Sequence, residues 1–211
     1  MAIGISPTVD FAFKLMLGSP DHFRVTMHFL NAILGGEPKI THVEFLNPFQ
    51  GKNYEEDKLS ILDILAIDEH RRRLNVEMQS SVTTELAQRI TFYNARSYVN
   101  QLTEGSLYTE LRSSISICVL TNPLILSSSE LHLDFRMREK SGLTLTDDLQ
   151  IHLLQLTNLR VTRENLATAS AVERWAFFFR FAGKRQGLMR VSGPRRICRS
   201  CGRHRTALYL C

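Results

Sequence analysis

The sequence predicts a single α/β domain built around a mixed β-sheet, and three observations support this fold class. Apolar residues recur at helical spacing near the start, in the middle and towards the end of the chain. Six short segments show the alternating or continuously apolar patterns that are typical of strands. The elements follow the order helix, three strands, helix, three strands, helix, with no internal repeat.

The first half begins with a helical region from Thr8, which fits an N-cap, to about Leu34 before a Gly-Gly stop. Residues 18–20, Gly-Ser-Pro, predict a break that divides this region into two helices. A short strand at 40–46 follows. The remaining elements are two hairpin strands within 60–79, a helix at 83–102, strands at 114–122, 131–139 and 149–156, and a helix at 163–182.

Composition places the chain among ordinary globular proteins. It has 211 residues, of which 44% are hydrophobic, enough for one sizeable core. No apolar run approaches the roughly 20 residues that a membrane-spanning helix needs. The N-terminal residues show no secretory signal pattern, so we expect a cytoplasmic protein with no membrane partner.

Positive charge is concentrated after Gly183. Residues 184–211 contain eight basic residues, no acidic residue and three of the four cysteines. The net charge of +5 of the whole chain therefore comes from this tail, while residues 1–183 have a slightly negative net charge. We expect residues 1–183 to form the domain and residues 184–211 to be an atypical tail outside it. The single thiol before the tail excludes a disulfide framework for the domain.

The segment 60–79, SILDILAIDEHRRRLNVEMQ, predicts a hairpin with a charged turn. If Asp68 lies opposite Arg72, the register places Asp63 directly opposite Glu77. Two facing carboxylates repel each other, and the cost grows near an apolar core. Such a pair persists if one acid takes up a proton or if a cation lies between them.

A divalent cation suits this pair because Mg²⁺ prefers carboxylate oxygens and keeps waters that can be activated as nucleophiles. Gln79 projects to the same face as Glu77, since strand side chains alternate. The alternative is that one carboxylate is exposed at a strand end and paired with the arginines of the turn, Arg71, Arg72 and Arg73. Periodicity alone does not decide between them.

Four motifs in order suggest a family. They are D-x-x-F-K at 10–14, K-x-x-I-L-D at 58–63, N-V-E-M-Q at 75–79 and R-I-T-F-Y-N-A-R-S-Y at 89–98. With these motifs the chain resembles, from about residue 4 to about residue 182, the recombination-promoting nuclease or putative transposase family of the PD-(D/E)XK superfamily. The resemblance implies a restriction-endonuclease-like mixed β-sheet flanked by helices, with an αβββαβ core.

The resemblance also implies roles for individual residues. Asp63 and Glu77 would bind Mg²⁺ or Mn²⁺, and Gln79 would complete the catalytic set. Gln is usual at this position in this branch, where the wider superfamily has Lys. Because Gln is neither a cation nor a general base, it can only orient water or substrate by hydrogen bonds.

Two helices of similar proteins lie beside the active site. On the first, Asp10 would contact the metal and Lys14 a phosphate, although an i,i+4 ion pair between them is the alternative. On the helix after the hairpin, Arg89 and Tyr93 would bind phosphate, although Tyr93 could instead pack against the sheet.

The remaining chemistry-bearing residues give weaker signals. No histidine has a partner at metal-ligand spacing. Trp175 and Phe177–Phe179 are interpreted as core or as the contact of a homo-oligomer. A set of Cys198, Cys201, His204 and Cys211 superficially resembles a zinc site, but the spacings are short, no second Cys-x-x-Cys pair is present, and we expect no zinc. The tail composition is typical of translation in a different frame, and its arginines could alternatively form a DNA-binding arm.

The sequence thus predicts a Mg²⁺-dependent DNA endonuclease that hydrolyses phosphodiester bonds. The association with recombination or transposition comes from the resemblance. Two alternatives stay open: a catalytically inactive DNA-binding or interaction protein on the same fold, and a truncated relic of a mobile-element gene.

Overall fold

The structure, a computed structural model, describes residues 5–36, 39–47 and 64–183 of the chain. Four helices are described: α1 (Asp10–Leu17), α2 (Phe23–Leu34), α3 (Leu86–Val99) and α4 (Ala171–Phe181). Six strands are described: β1 (Val43–Phe45), β2 (Ile64–Asp68), β3 (Arg73–Gln79), β4 (Ser114–Leu120), β5 (His132–Arg138) and β6 (Thr144–Gln155). The order of elements is the one that the sequence predicts.

The strands form one mixed sheet in the order β1-β2-β3-β4-β6-β5. β3 pairs antiparallel with β2 and parallel with β4, and β4 pairs parallel with β6. β1 and β5 are the two edges, each antiparallel to its neighbour. β3 is therefore an interior strand whose backbone is hydrogen-bonded on both sides, which explains its continuous burial from Leu74 to Met78.

The turn of the β2–β3 hairpin is built on the carboxylate of Asp68. This side chain is buried and accepts hydrogen bonds from the backbone N–H of His70 (3.0 Å) and of Arg72 (2.9 Å). The Nε of Arg72 also donates to it, at 2.6 Å. Arg71 adopts a left-handed conformation with φ of 64°. The predicted pairing of Asp68 with Arg72 is confirmed, with a backbone N–H to carbonyl distance of 3.3 Å.

Helices cover the two faces of the sheet unequally. α1, α2 and α4 pack on one face and form the main core with residues such as Val76, Met78 and Ile117. On the other face, Leu86 and Ile90 of α3 pack with Cys118, Leu120 and Leu153 in a smaller cluster.

The main core contains an aromatic group around Trp175. Its indole ring stacks on Phe179 with centroids 5.6 Å apart and meets the edge of Phe29 at 5.2 Å. Trp175 and Phe179 are 4% and 1% exposed, so the core interpretation of these two residues is confirmed.

Three predicted helix starts are wrong, and one of them is that of α3, which begins at Leu86 and not at 83. α4 begins at Ala171 and not near 163, because Ser170 and Glu173 form a capping box in which each side chain bonds the other's backbone N–H. α1 has Val9 at its N-cap position with no side-chain bond. Thr8 instead places its hydroxyl 2.8 Å from that of Ser6.

A pair of histidines lies between β5 and β6. Nε2 of His132 is 3.0 Å from Nδ1 of His152, and the rings stack with centroids 5.2 Å apart. Burial lowers the pKa of His152 to about 4, although the nearby carboxylate of Asp134 favours the charged form. Burial likewise lowers the pKa of His132.

This pair predicts acid sensitivity. The unfolded chain, with a histidine pKa near 6.5, binds more protons than the folded protein as the pH falls below that value. The free energy of unfolding is therefore unaffected by the pair above the unfolded pKa, and it decreases as the pH is lowered below that value. The pair should account for a loss of about 2 kcal/mol between about pH 7 and about pH 5. Urea unfolding at a series of pH values measures this loss.

The matched control compares two non-titrating variants. His152→Gln should flatten the pH dependence, while His42→Gln, which replaces an exposed histidine, should leave it as in the wild type. An equal slope in His152→Gln and wild type would contradict the assignment.

Candidate metal and phosphate site

Glu77 is a buried carboxylate in the interior of the sheet. It lies on β3, is 4% exposed, and pairs in register with Cys118 of β4. Paired residues point to the same face, so Glu77 faces the side that α3 covers. The exposed strand-end alternative therefore does not describe Glu77.

The hydrogen-bond partners of Glu77 are two neutral amides on its own strand. Nδ2 of Asn75 donates to Oε1 at 2.7 Å, and Nε2 of Gln79 donates to Oε2 at 3.3 Å. The turn arginine Arg72 is bound to Asp68. In the part of the chain that the structure describes, Glu77 has no ion pair with a basic side chain. A buried carboxylate without a positive partner is destabilised by desolvation unless a cation or a proton compensates it.

Asn75 adds a second oxygen that lacks a partner. Its Oδ1 is buried and has no hydrogen-bond donor among the described residues, while its Nδ2 is bound to Glu77. Carboxylate and amide oxygens are ligands that hard divalent cations prefer. The donor set around Glu77 thus fits a divalent metal, with Glu77 as the charged ligand and Asn75 as a neutral oxygen beside it.

Asp63, the predicted partner of Glu77, lies outside the described residues. The register next to it is described: Ile64 pairs with Val76 and Ile67 with Arg73, so the predicted hairpin alignment is confirmed for these residues. The metal-binding role of Asp63 stays a prediction. Within residues 5–36, 39–47 and 64–183, no three His, Cys, Asp or Glu side chains form a metal-binding cluster.

Asp10 and Lys14 form the i,i+4 ion pair that the sequence offers as an alternative, with Nζ 3.5 Å from Oδ1. Their helix, α1, packs through Phe13 and Leu17 into the main core, on the face of the sheet opposite to Glu77. The metal contact of Asp10 and the phosphate contact of Lys14 stay predictions.

α3 lies on the same side of the sheet as Glu77. Arg89 is exposed on this helix, and Tyr93 is half-buried with its ring edge-on to Phe92 at 5.3 Å. The exposed guanidinium is accessible to a phosphate oxygen. The phosphate-binding roles of Arg89 and Tyr93 stay predictions.

Asn94 fixes α3 on the sheet, a role that the sequence reasoning missed. Its buried Nδ2 lies within 3.0 Å of the Ser114 carbonyl and of the Ser116 hydroxyl, and 3.1 Å from the Gln150 carbonyl. The Ser114 hydroxyl donates to the Asn94 carbonyl at 2.9 Å. One turn later, the Tyr98 hydroxyl donates to Asp148 at 2.9 Å. Both residues lie in the motif at 89–98. A polar residue such as Asn94 at a helix position that faces the core is the feature of the sequence that could have indicated this role.

A mixed six-stranded sheet flanked by helices, with an acidic and amide-bearing interior strand, defines a restriction-endonuclease-like α/β fold. The family model described as PD-(D/E)XK nuclease family transposase matches residues 7–195. The chain belongs to this family, and its function is of the nuclease or transposase kind. PD-(D/E)XK nucleases generally use divalent metals and act on DNA.

The match continues past Gly183, the predicted domain boundary, to residue 195. Residues 184–211 lie outside the described residues, and the interpretations of the tail stay predictions. Neither the curated proteins nor the solved structures compared with the chain include a match. None of the described helices is long and apolar enough to cross a membrane.

The network around Asn94 predicts a large stability cost for its removal. Asn94→Ala should lower the free energy of unfolding by about 2 kcal/mol, because the buried Ser116 hydroxyl and two carbonyls lose a shared donor. The control is Thr91→Ala on the exposed side of α3, where the hydroxyl bonds only the preceding turn of its own helix. That change should stay within about 0.5 kcal/mol. Urea unfolding of both variants makes the measurement, and equal costs would contradict the anchoring role.

Proposed function

We propose that this protein is a Mg²⁺-dependent DNA endonuclease that hydrolyses phosphodiester bonds in recombination or transposition, with Mn²⁺ as an alternative ion. The observation that carries the proposal is the buried Glu77 carboxylate. It is oriented by two amide donors and has no basic partner in the described ranges. A divalent cation would compensate this charge, and the family to which the chain belongs is one of nucleases.

Asp63 is the second metal ligand in this proposal. The described register supports the assignment, because a ladder continued by one residue beyond Ile64 and Val76 would pair Asp63 with Glu77. Two carboxylates on directly paired residues would supply two negative charges to one ion.

When bound, a divalent ion supplies Lewis-acid polarisation of the scissile phosphate and activation of the attacking water. The chain's own residues provide orientation. Gln79 donates to Glu77 through Nε2, which fixes its amide plane and leaves its Oε1 to accept a hydrogen bond from water. Glu77 is held in turn by Asn75, so the metal-facing carboxylate is pre-organised on a rigid interior strand.

Substrate binding is assigned to the α3 side of the site. Arg89 would bind a phosphate oxygen through its exposed guanidinium, and Tyr93 would hydrogen-bond phosphate or water. The hydrogen bonds of Asn94 and Tyr98 hold α3 against β4 and β6, and they thereby set the distance of Arg89 from the sheet.

Plasmid nicking tests the catalytic assignment. With Mg²⁺, the purified protein should convert supercoiled plasmid to the open-circular form. Asp63→Asn and Glu77→Gln should each lower the rate more than about 100-fold, because each removes a charged metal ligand while keeping its shape. Arg89→Gln should lower it less, since phosphate contacts are several.

Glu104→Gln, at an exposed loop position, is the matched control and should nick at the wild-type rate. Equal nicking by all variants would indicate a contaminating nuclease and contradict the proposal. Folded wild-type protein that does not nick would favour a non-catalytic DNA-binding role.

Thermal melting tests the metal site without relying on catalysis. Mg²⁺ at about ten times its dissociation constant should stabilise the wild type by about 1.4 kcal/mol, which corresponds to a rise of roughly 3 to 6 °C. In the presence of EDTA, Glu77→Gln should melt at or above the wild-type temperature, because an uncompensated buried charge is removed.

The melting temperature of Glu77→Gln should not respond to Mg²⁺, whereas that of Glu104→Gln should rise as in the wild type. Equal responses of the wild type and Glu77→Gln to Mg²⁺ would place the metal elsewhere.

A further inference from the structure

A groove lies between α2 and α4, on the face of the sheet opposite to Glu77. Its volume is about 440 Å³, which is within the range of small-molecule sites. Val25, Trp175 and Phe178 form an apolar floor, and Arg24, His28 and Arg174 stand at the rim. The proposed nuclease site uses none of these residues.

Trp175 connects the floor to the rim. The indole is 4% exposed, with Phe179 stacked on it and Phe29 at its edge. Its Nε1–H donates to Nδ1 of His28 at 3.0 Å. Because Nδ1 accepts this bond, the imidazole carries its proton on Nε2. The exposed His28 therefore presents an N–H donor at the rim.

The two arginines provide positive charge without a nearby carboxylate. Nε of Arg174 donates to the Ala169 carbonyl at 2.9 Å, which orients the guanidinium. The two terminal nitrogens can then donate to an anion in the groove. Glu173, the neighbouring acid, is bound to Ser170 in the capping box. Arg24 is exposed with its guanidinium 5.9 Å from the Phe23 ring. Among the residues that the structure describes, neither arginine has a carboxylate within 4.0 Å.

We propose that this groove binds a small organic anion in which a carboxylate or phosphate is attached to an aromatic body. The volume admits one ring, and burial of that ring on Val25 and Phe178 supplies apolar contact. The arginines suit a planar oxyanion, because a guanidinium offers paired donors. A nucleic-acid strand fits less well, since Trp175 is 4% exposed with Phe179 stacked on it and offers no open platform for a base.

The experiment uses the fluorescence of Trp175, which is the single tryptophan of the chain. The full-length protein is titrated with phenylacetate, with phenyl phosphate and with phenylacetamide, the neutral counterpart of the first. We expect a saturable change in fluorescence with at least one anion, and about tenfold weaker binding of phenylacetamide. The anion with the higher affinity identifies whether the groove prefers a carboxylate or a phosphate.

Variants then locate the site. Arg24→Gln and Arg174→Gln should each weaken binding of the preferred anion about tenfold. Ala171→Phe, at an exposed position that lines the groove, should block it. Arg160→Gln, an exposed arginine elsewhere, is the charge-matched control and should bind as the wild type does. Circular dichroism establishes that each variant is folded.

Three outcomes would overturn the proposal. The first is the absence of a saturable response to both anions, and the second is wild-type affinity in both arginine variants. The third is tighter binding of a short oligothymidylate that the same two variants weaken, because the surface would then be a nucleic-acid contact. None of these outcomes depends on nuclease activity.

Discussion

The charge of Glu77, buried in the interior of a six-stranded sheet, is the constraint on which the rest of the site depends. β3 is hydrogen-bonded to strands on both sides, so water cannot reach the carboxylate through a strand edge. The amides of Asn75 and Gln79 orient the carboxylate but do not neutralise it. Desolvation of an anion costs more than neutral hydrogen bonds return, and the cation of the proposed site would offset this difference.

The two faces of the sheet are stabilised by different kinds of contact. The face covered by α1, α2 and α4 contains the main apolar core, which supplies most of the hydrophobic stabilisation. The α3 face has a smaller apolar cluster and holds its helix with the polar contacts of Asn94. The α3 face, where a substrate phosphate would bind in the proposed site, therefore depends more on polar contacts than the opposite face does.

Features that depend on local pattern could be predicted from the sequence, and features that depend on tertiary pairing could not. The hairpin register followed from Asp68 and Arg72, because a tight turn fixes the pairing of every residue beyond it. The start of α4 was misplaced because apolar spacing continues before Ser170, while its capping box decides the boundary. His132 and His152 are twenty residues apart in the chain, and only the β5–β6 register brings their rings together.

In the proposed site, Gln79 stands at the position that the resemblance assigns to Lys in the wider superfamily, and this would change the electrostatics around Glu77. A lysine two residues beyond the acid would provide a positive charge within reach of the Glu77 carboxylate, and the folded protein would then be partly compensated without metal. The Gln79 amide gives a hydrogen bond at 3.3 Å and no charge. In the proposed site, a bound cation would therefore supply all of the positive charge at Glu77. Under this proposal, metal binding and folding stability would be more tightly linked than in a protein with lysine at this position.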